Sequence, residues 1–273
     1  MELIEILKVV VLGIVEGVTE WLPISSTGHM LLVDEFIHMN VSESFKDMFF
    51  VVIQLGAILA VVMLFWDKMW PFQTKDKSKP VIRKDVFSMW FKVVVACIPG
   101  AIVTLLFDDY IEAHLHTPAV IALALVVYGV AFIVIENWNK KRTPKVLALE
   151  DISYKTAFII GLFQVLSIIP GTSRSGSTII GALTIGVSRV AAAEFTFFLA
   201  VPVMIGLSFI KILKFGFSFT SVELMTLAIG CVVAFLVSVL VIKFLMSYIK
   251  KRDFKIFGWY RIVLGVILLL YFM

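Results

Sequence analysis

Apolar runs of membrane-spanning length constrain this chain more than any other feature. Six of them lie near 49–66, 89–107, 118–136, 193–213, 224–246 and 256–273. Each is long enough, as a helix, to cross a hydrocarbon core that takes roughly 17–25 residues. The sequence therefore predicts an all-α polytopic membrane protein with about six transmembrane helices. Composition agrees: 60% of residues are hydrophobic, against about 45–50% in soluble domains. Charge is scarce and gathered into short stretches, as in loops between spans. The net charge of +4 thus speaks to topology, and no nucleic-acid partner is expected. Cys97 and Cys231 each sit in an apolar run, with neither a disulfide framework nor a metal spacing. They read as small buried hydrophobes. The opening "MELIEILKVVVLGIVEG" lacks a basic n-region and a small-residue cleavage site, so it reads as a retained segment.

Two further apolar regions, 3–38 and 156–187, are each cut by a polar patch, "LPISSTGH" and "IPGTSRSGST". Each half reads as too short to span alone. Paired interruptions of this kind point to re-entrant, broken helical hairpins that build a binding site. An offset of 148 places Gly13 on Gly161, Glu16 on Gln164, Ser25 on Ser173, Gly28 on Gly176 and Phe49-Phe50 on Phe197-Phe198. Few identities survive, but they fall on the interruptions themselves. The expectation is one integral membrane domain, 1–273, holding an internal inverted repeat of about 1–136 and 150–273.

Charge tests this topology. If each broken segment enters and leaves on one side, the loops at 67–88, 137–155 and 247–255 share a side. These hold Lys68, Lys75, Lys77, Lys79, Arg83 and Lys84; Lys140, Lys141, Arg142 and Lys145; and Lys250, Lys251, Arg252 and Lys255. The 108–117 loop holds Asp108, Asp109 and Glu112 without a Lys or Arg. Basic loops stay cytoplasmic, which leaves both termini outside. Were both segments full spans, 247–255 would move to the opposite side.

Glu16 and Glu20 are four apart and share a helix face. Ionised groups at membrane depth normally line a cavity or pathway, and a hard divalent cation, Mg²⁺ or Ca²⁺, would neutralise such a pair. The competing reading is a wet helix start. Pro23 ends a helix, and the Ser25-Ser26-Thr27-Gly28 that follows suits a turn and a new N-cap. Pro170-Gly171 does the same for the second segment, with Ser173, Ser175 and Ser177 near the next helix start. Two helix starts facing one another make an anion site, and Arg174 offers a rigid five-donor fork suited to phosphate. Arg174 could instead pair with Glu16 or Glu20. Ser26 and His29 are three apart and in reach of one another, which allows an activated hydroxyl, a nucleophilic histidine or a proton shuttle. Ser25 reads mainly as a cap. His38, His114 and His116 read as solvated. Arg189 and Glu194 are explained by loop and dipole roles, Lys243 and Arg261 by snorkelling, and Gln54 by an interhelical hydrogen bond. Carboxylates for a metal, an anion site and a Ser/His pair together spell phosphoryl transfer on a substrate with an apolar tail.

The whole chain resembles the bacterial undecaprenyl-diphosphatases, the bacitracin-resistance type of integral membrane lipid phosphatase. "EGVTEWLPISSTGH" and "PGTSRSGST" match that family's acidic E-x-x-x-E, S-S-T-G-H and P-G-x-S-R-S-x-x-T motifs. The resemblance implies hydrolysis of undecaprenyl diphosphate to undecaprenyl phosphate, the carrier lipid of cell-wall synthesis, with bacitracin resistance, a divalent metal, and a site on the outer face of the cytoplasmic membrane. It carries family roles onto Glu16, Glu20, Ser26, His29 and Arg174, with Ser173 and Thr178 in support. Ser25 and Thr27 join the expected substrate-binding set, and a homodimer is allowed. One departure is Phe50, where the family has a charged residue before "VVIQLG"; no role for that charge carries over. Two rivals stand beside this reading. Inverted repeats with broken helices also serve secondary transporters, which need an anion site but no nucleophile. An acid-phosphatase-like lipid phosphatase is suggested by "STGH", but no matching Lys/Arg motif precedes it.

Overall fold

A computed structural model describes residues 2–73, 80–115 and 117–272, with the side chains of 108–113 outside the described set. Lys75, Lys77, Lys79 and His116 lie outside the described residues, as do the side chains of Asp108, Asp109 and Glu112. The helices run α1 Leu3–Thr19, α2 Ser26–Phe36, α3 Glu43–Val52, α4 Gln54–Leu64, α5 Trp66–Met69, α6 Lys84–Leu115, α7 Pro118–Asn139, α8 Tyr154–Val165, α9 Arg174–Thr184, α10 Arg189–Phe215, α11 Ser221–Ile249 and α12 Lys255–Phe272. A 3₁₀ turn, Leu166–Ile168, continues α8. No strand occurs among the described residues, only two isolated bridges.

Among the described residues, six helical stretches are long and apolar enough to cross a membrane. They are Glu43–Leu64, Lys84–Phe107, Pro118–Asn139, Arg189–Phe215, Ser221–Ile249 and Lys255–Phe272. These are the six runs expected from hydropathy. The broken segments are the pairs α1/α2 and α8/α9. At 17 residues α1 is longer than the expected half-span, and reaches the lower limit for a helix that crosses.

Helices in lipid gain little from hydrophobic exclusion and associate through close backbone packing. α1 does this against α11 through Gly13 and Gly17. A Cβ at Gly17 would sit 2.8 Å from Val237 Cβ and 2.9 Å from the Ala234 carbonyl oxygen. Gly161 of α8 meets the Ala96 carbonyl of α6 in the same way. α7 and α12 cross at Gly129 and Gly258, where a Cβ on either would lie 2.6–2.7 Å from the other's carbonyl oxygen.

The basic loops meet around the start of α10. Arg189 bonds the buried Glu136 at the end of α7, at 2.9 and 2.5 Å, and the Phe254 backbone N–H donates to the same carboxylate at 3.0 Å. Lys68 pairs with Glu194 at 2.7 Å. Arg189 and Glu194 are therefore partners in ion pairs, beyond the loop and dipole roles expected of them.

Candidate active site

The two breaks are built alike. α2 and α9 each have 11 residues. Each begins after a serine at positive φ, Ser25 at 75° and Ser173 at 71°, the only non-glycine residues so placed among the described ones. Such a conformation is costly for a residue with a Cβ and is retained where surroundings demand it. Here the demand is a cap: Ser25 Oγ accepts from the Gly28 N–H at 3.3 Å, and Ser173 Oγ from the Gly176 N–H at 3.1 Å. The first break is anchored by Trp21, fully buried and edge-on to Phe197 of α10 at 5.2 Å.

Residues 154 apart in sequence meet where the breaks face one another. Arg174 Nη2 donates to Glu20 Oε1 at 2.8 Å, and Ser26 Oγ donates to Glu20 Oε2 at 2.6 Å. Ser175 Oγ donates to the Glu20 carbonyl at 3.2 Å, and Arg174 Nη1 to the Thr196 carbonyl at 3.1 Å. Glu20 is thus both the partner of the guanidinium and the acceptor for the Ser26 hydroxyl. A cavity of about 500 Å³ opens beside them, lined by Glu20, Ser25, Ser26, Thr27, Ser173 and Arg174. Its other wall carries Ala101 and Leu105 of α6 and Val203, Leu207 and Ile210 of α10. Gln54 lines this cavity too.

Three of the expected residues lie outside that lining. His29 has both ring nitrogens engaged: Nδ1 lies 2.7 Å from the Ser25 carbonyl and Nε2 2.6 Å from the Tyr260 hydroxyl. A carbonyl only accepts, so Nδ1 carries the proton and Tyr260 donates to Nε2. The imidazole also stacks on the Tyr260 ring at 5.6 Å. Thr178 is fully buried and donates back to the Arg174 carbonyl at 2.9 Å, with Thr196 Oγ1 also at 2.9 Å. It props the turn that presents Arg174. Glu16 is 1% exposed, and its Oε1 has no hydrogen-bond partner. An orphaned carboxylate oxygen at depth calls for a cation. Among the described residues no cluster of three or more His, Cys, Asp or Glu forms a closed metal cage. Two carboxylates suffice for Mg²⁺ when substrate phosphate and water complete its shell, so Glu16 and Glu20 fit that kind of site.

One residue was misjudged from sequence. Arg261 does not snorkel: it is fully buried on α12, with its guanidinium on backbone carbonyls of both breaks. Its distance from either span end gives no hint of those partners. Tyr260, the partner of His29, was likewise invisible as a site residue among the aromatic residues of a span.

The family model described as "Bacitracin resistance protein BacA" matches residues 9–267. A protein of Enterococcus faecalis named undecaprenyl-diphosphatase is 74% identical over 270 residues, covering 99% of this chain and 98% of the relative. Proteins of the same name from Lachnoclostridium phytofermentans and Desulfitobacterium hafniense are each 62% identical over 273 residues, covering 100% of this chain and 99% and 98% of theirs. With both breaks, five whole spans, most of the sixth and the tip contacts inside the matched region, the chain belongs to the BacA bacitracin-resistance family.

Proposed function

We infer that this protein hydrolyses undecaprenyl diphosphate to undecaprenyl phosphate and inorganic phosphate, returning the carrier lipid to cell-wall synthesis and conferring bacitracin resistance. The observation that carries the reading is Glu20 held between Ser26 and Arg174 in a chain of the BacA family. A hydroxyl bonded to a carboxylate is a nucleophile beside its base, and a guanidinium at the same point is matched to phosphate oxygens.

The lipid's apolar tail lies along the α6/α10 wall, and its diphosphate meets the two helix starts. Arg174 and the free N–H groups of α2 and α9 take up charge on the transferred phosphoryl. Ser26 Oγ attacks the terminal phosphorus while its proton passes to Glu20 Oε2. The bond from that phosphorus to the bridging oxygen breaks, and undecaprenyl phosphate leaves. Glu20 gives that proton to the departing phosphate, then takes one from the water that attacks the phosphoserine and passes it to Ser26 Oγ as the bond from phosphorus to serine breaks and inorganic phosphate leaves. His29 holds the Ser25 carbonyl, and with it the strained cap before the nucleophile. Glu16 and Glu20 are the residues that would hold a divalent cation, which would supply charge neutralisation for the diphosphate.

In the membrane, this reading makes α1/α2 and α8/α9 re-entrant hairpins of an inverted repeat, with both termini and the site on the outer face. The equal lengths and caps of α2 and α9 at an offset of 148 support it. So does the contact of the 247–255 loop with the end of α7, which two full-span segments would separate. Phosphate release by purified protein in detergent, without any gradient, tests the reading. A Ser26→Ala variant should bind lipid and release none; a transporter would release none in either form.

A further inference from the structure

Among the described residues, Arg261 is the one fully buried cation that the mechanism leaves without a part. It has no carboxylate partner among the described residues. Its Nη1 donates to the Pro23 carbonyl at 3.1 Å, and its Nη2 to the carbonyls of Gly171 and Thr172 at 2.8 and 2.9 Å. Pro23 lies in the first break and Gly171-Thr172 in the second. These carbonyls sit where the helical ladder is interrupted, so they need donors from elsewhere. A buried guanidinium facing only neutral acceptors is an expensive arrangement, and a sequence can avoid that cost with an apolar residue. What a guanidinium offers in return is a planar fork whose donors point at two separate partners at once, which a lysine ammonium matches poorly.

α12 belongs to neither break, and packs mainly along α7 through the Gly129–Gly258 crossing. The face of Tyr128 on α7 lies 5.5 Å from the guanidinium carbon and backs it. Gly176, in the first turn of α9, leaves room for the fork: a Cβ there would come within 3.3 Å of Arg261 Nη1. The preceding residue on α12, Tyr260, holds His29 of the first break at 2.6 Å. Arg261 is absent from the cavity lining, so it acts on substrate only through the backbone it grips.

We propose that Arg261 is a positioning residue for the reaction: a latch from α12 that keeps the two breaks in register, so that Ser26 and Glu20 of one meet Arg174 of the other. The proposal rests on the phosphatase reading above. Misplacing reacting groups by about 1 Å costs on the order of a hundredfold in rate, so the latch predicts a large kinetic effect from a side chain that never touches the lipid.

The test compares Arg261→Lys and Arg261→Met with wild type and Arg174→Ala, all purified in detergent. Readouts are steady-state phosphate release from undecaprenyl diphosphate, thermal unfolding, and amide hydrogen exchange by mass spectrometry. Both Arg261 variants should stay folded and lose about tenfold to a hundredfold in kcat, Met more than Lys, with KM little changed. Amides of 21–29 and 170–178 should lose protection together while those of α11 keep theirs. Wild-type kcat in a folded Arg261→Met protein overturns the latch, as does loss of protection at one break alone. Failure of both variants to fold also overturns it, because a latch leaves the packing of the spans intact. Full turnover by Arg174→Ala overturns the site reading and the latch with it. An inactive Arg174→Ala beside fully active Arg261 variants overturns the latch alone.

Discussion

Replacing Glu20 by Gln changes one atom of the site and tests most of its logic. In the native arrangement, Oε1 accepts from Arg174 at 2.8 Å and Oε2 from Ser26 at 2.6 Å. A glutamine has one acceptor and one donor in those places, so either Ser26 or Arg174 faces an N–H group instead of an oxygen. Two losses follow. The Ser26 proton loses its acceptor, and general-base catalysis contributes about 10²- to 10⁴-fold, or about 2.7–5.4 kcal/mol on the barrier. One buried donor is also left unmet, at about 1–3 kcal/mol of stability; Arg174 keeps the Thr196 carbonyl, so the lower part of that range is expected. The assay is phosphate release from undecaprenyl diphosphate, paired with thermal unfolding in the same detergent. Because base and nucleophile act as a unit, Glu20→Gln/Ser26→Ala should be no slower than the slower single variant. A Glu20→Gln enzyme within tenfold of wild type, or multiplicative losses in the double variant, would refute the pairing of Ser26 with Glu20.

Other consequences can be checked separately. Arg174→Lys replaces a fork that reaches Glu20 and Thr196 together with a point charge; turnover should fall about a hundredfold, and inhibition by inorganic phosphate should weaken in parallel. Glu16→Gln should raise the Mg²⁺ concentration needed for half-maximal activity while leaving unfolding temperature nearly unchanged, since its Oε1 has no protein partner to lose; an unaltered metal titration contradicts the assignment. Gly17→Val drives a side chain into Val237 and the Ala234 carbonyl, and should destabilise the α1–α11 contact by about 1–3 kcal/mol, seen as a lowered unfolding temperature. Tyr260→Phe removes one hydrogen bond to His29, worth about 1 kcal/mol, and should slow turnover only a few-fold. Rapid quench into neutral denaturant should trap phosphate on Ser26 in an acid-stable form, and an acid-labile phosphohistidine at His29 would reassign the nucleophile.

Hydropathy made the spans legible because length and apolarity are properties of contiguous residues. The runs near 118–136 and 256–273 correspond to α7 and α12 within three residues at either end. The breaks were legible for a similar reason: Pro23 and Pro170 cannot continue a helix, and the serines after them can cap one. What sequence did not show was which distant groups meet. His29 is three residues from Ser26, yet its nitrogens go to the Ser25 carbonyl and to Tyr260, 231 residues away. The carboxylate beside Ser26 is Glu20, six residues earlier across the turn, a turn in which Ser25 takes a positive φ. Arg261 resembled a snorkelling residue because its partners are backbone carbonyls, which every residue carries and none advertises. Glu136 stood unremarked inside an apolar run until Arg189, 53 residues on, turned out to be its partner.

The central claim is that residues from two separate breaks form one reaction centre. A kinetic double-mutant cycle between Ser26→Ala and Arg174→Ala, read as phosphate release from undecaprenyl diphosphate under single-turnover conditions, tests it most directly. Each single variant should lose at least about a hundredfold, and the double variant should be scarcely worse than the slower single one. Losses that multiply would mean the two breaks act independently, and would contradict the account.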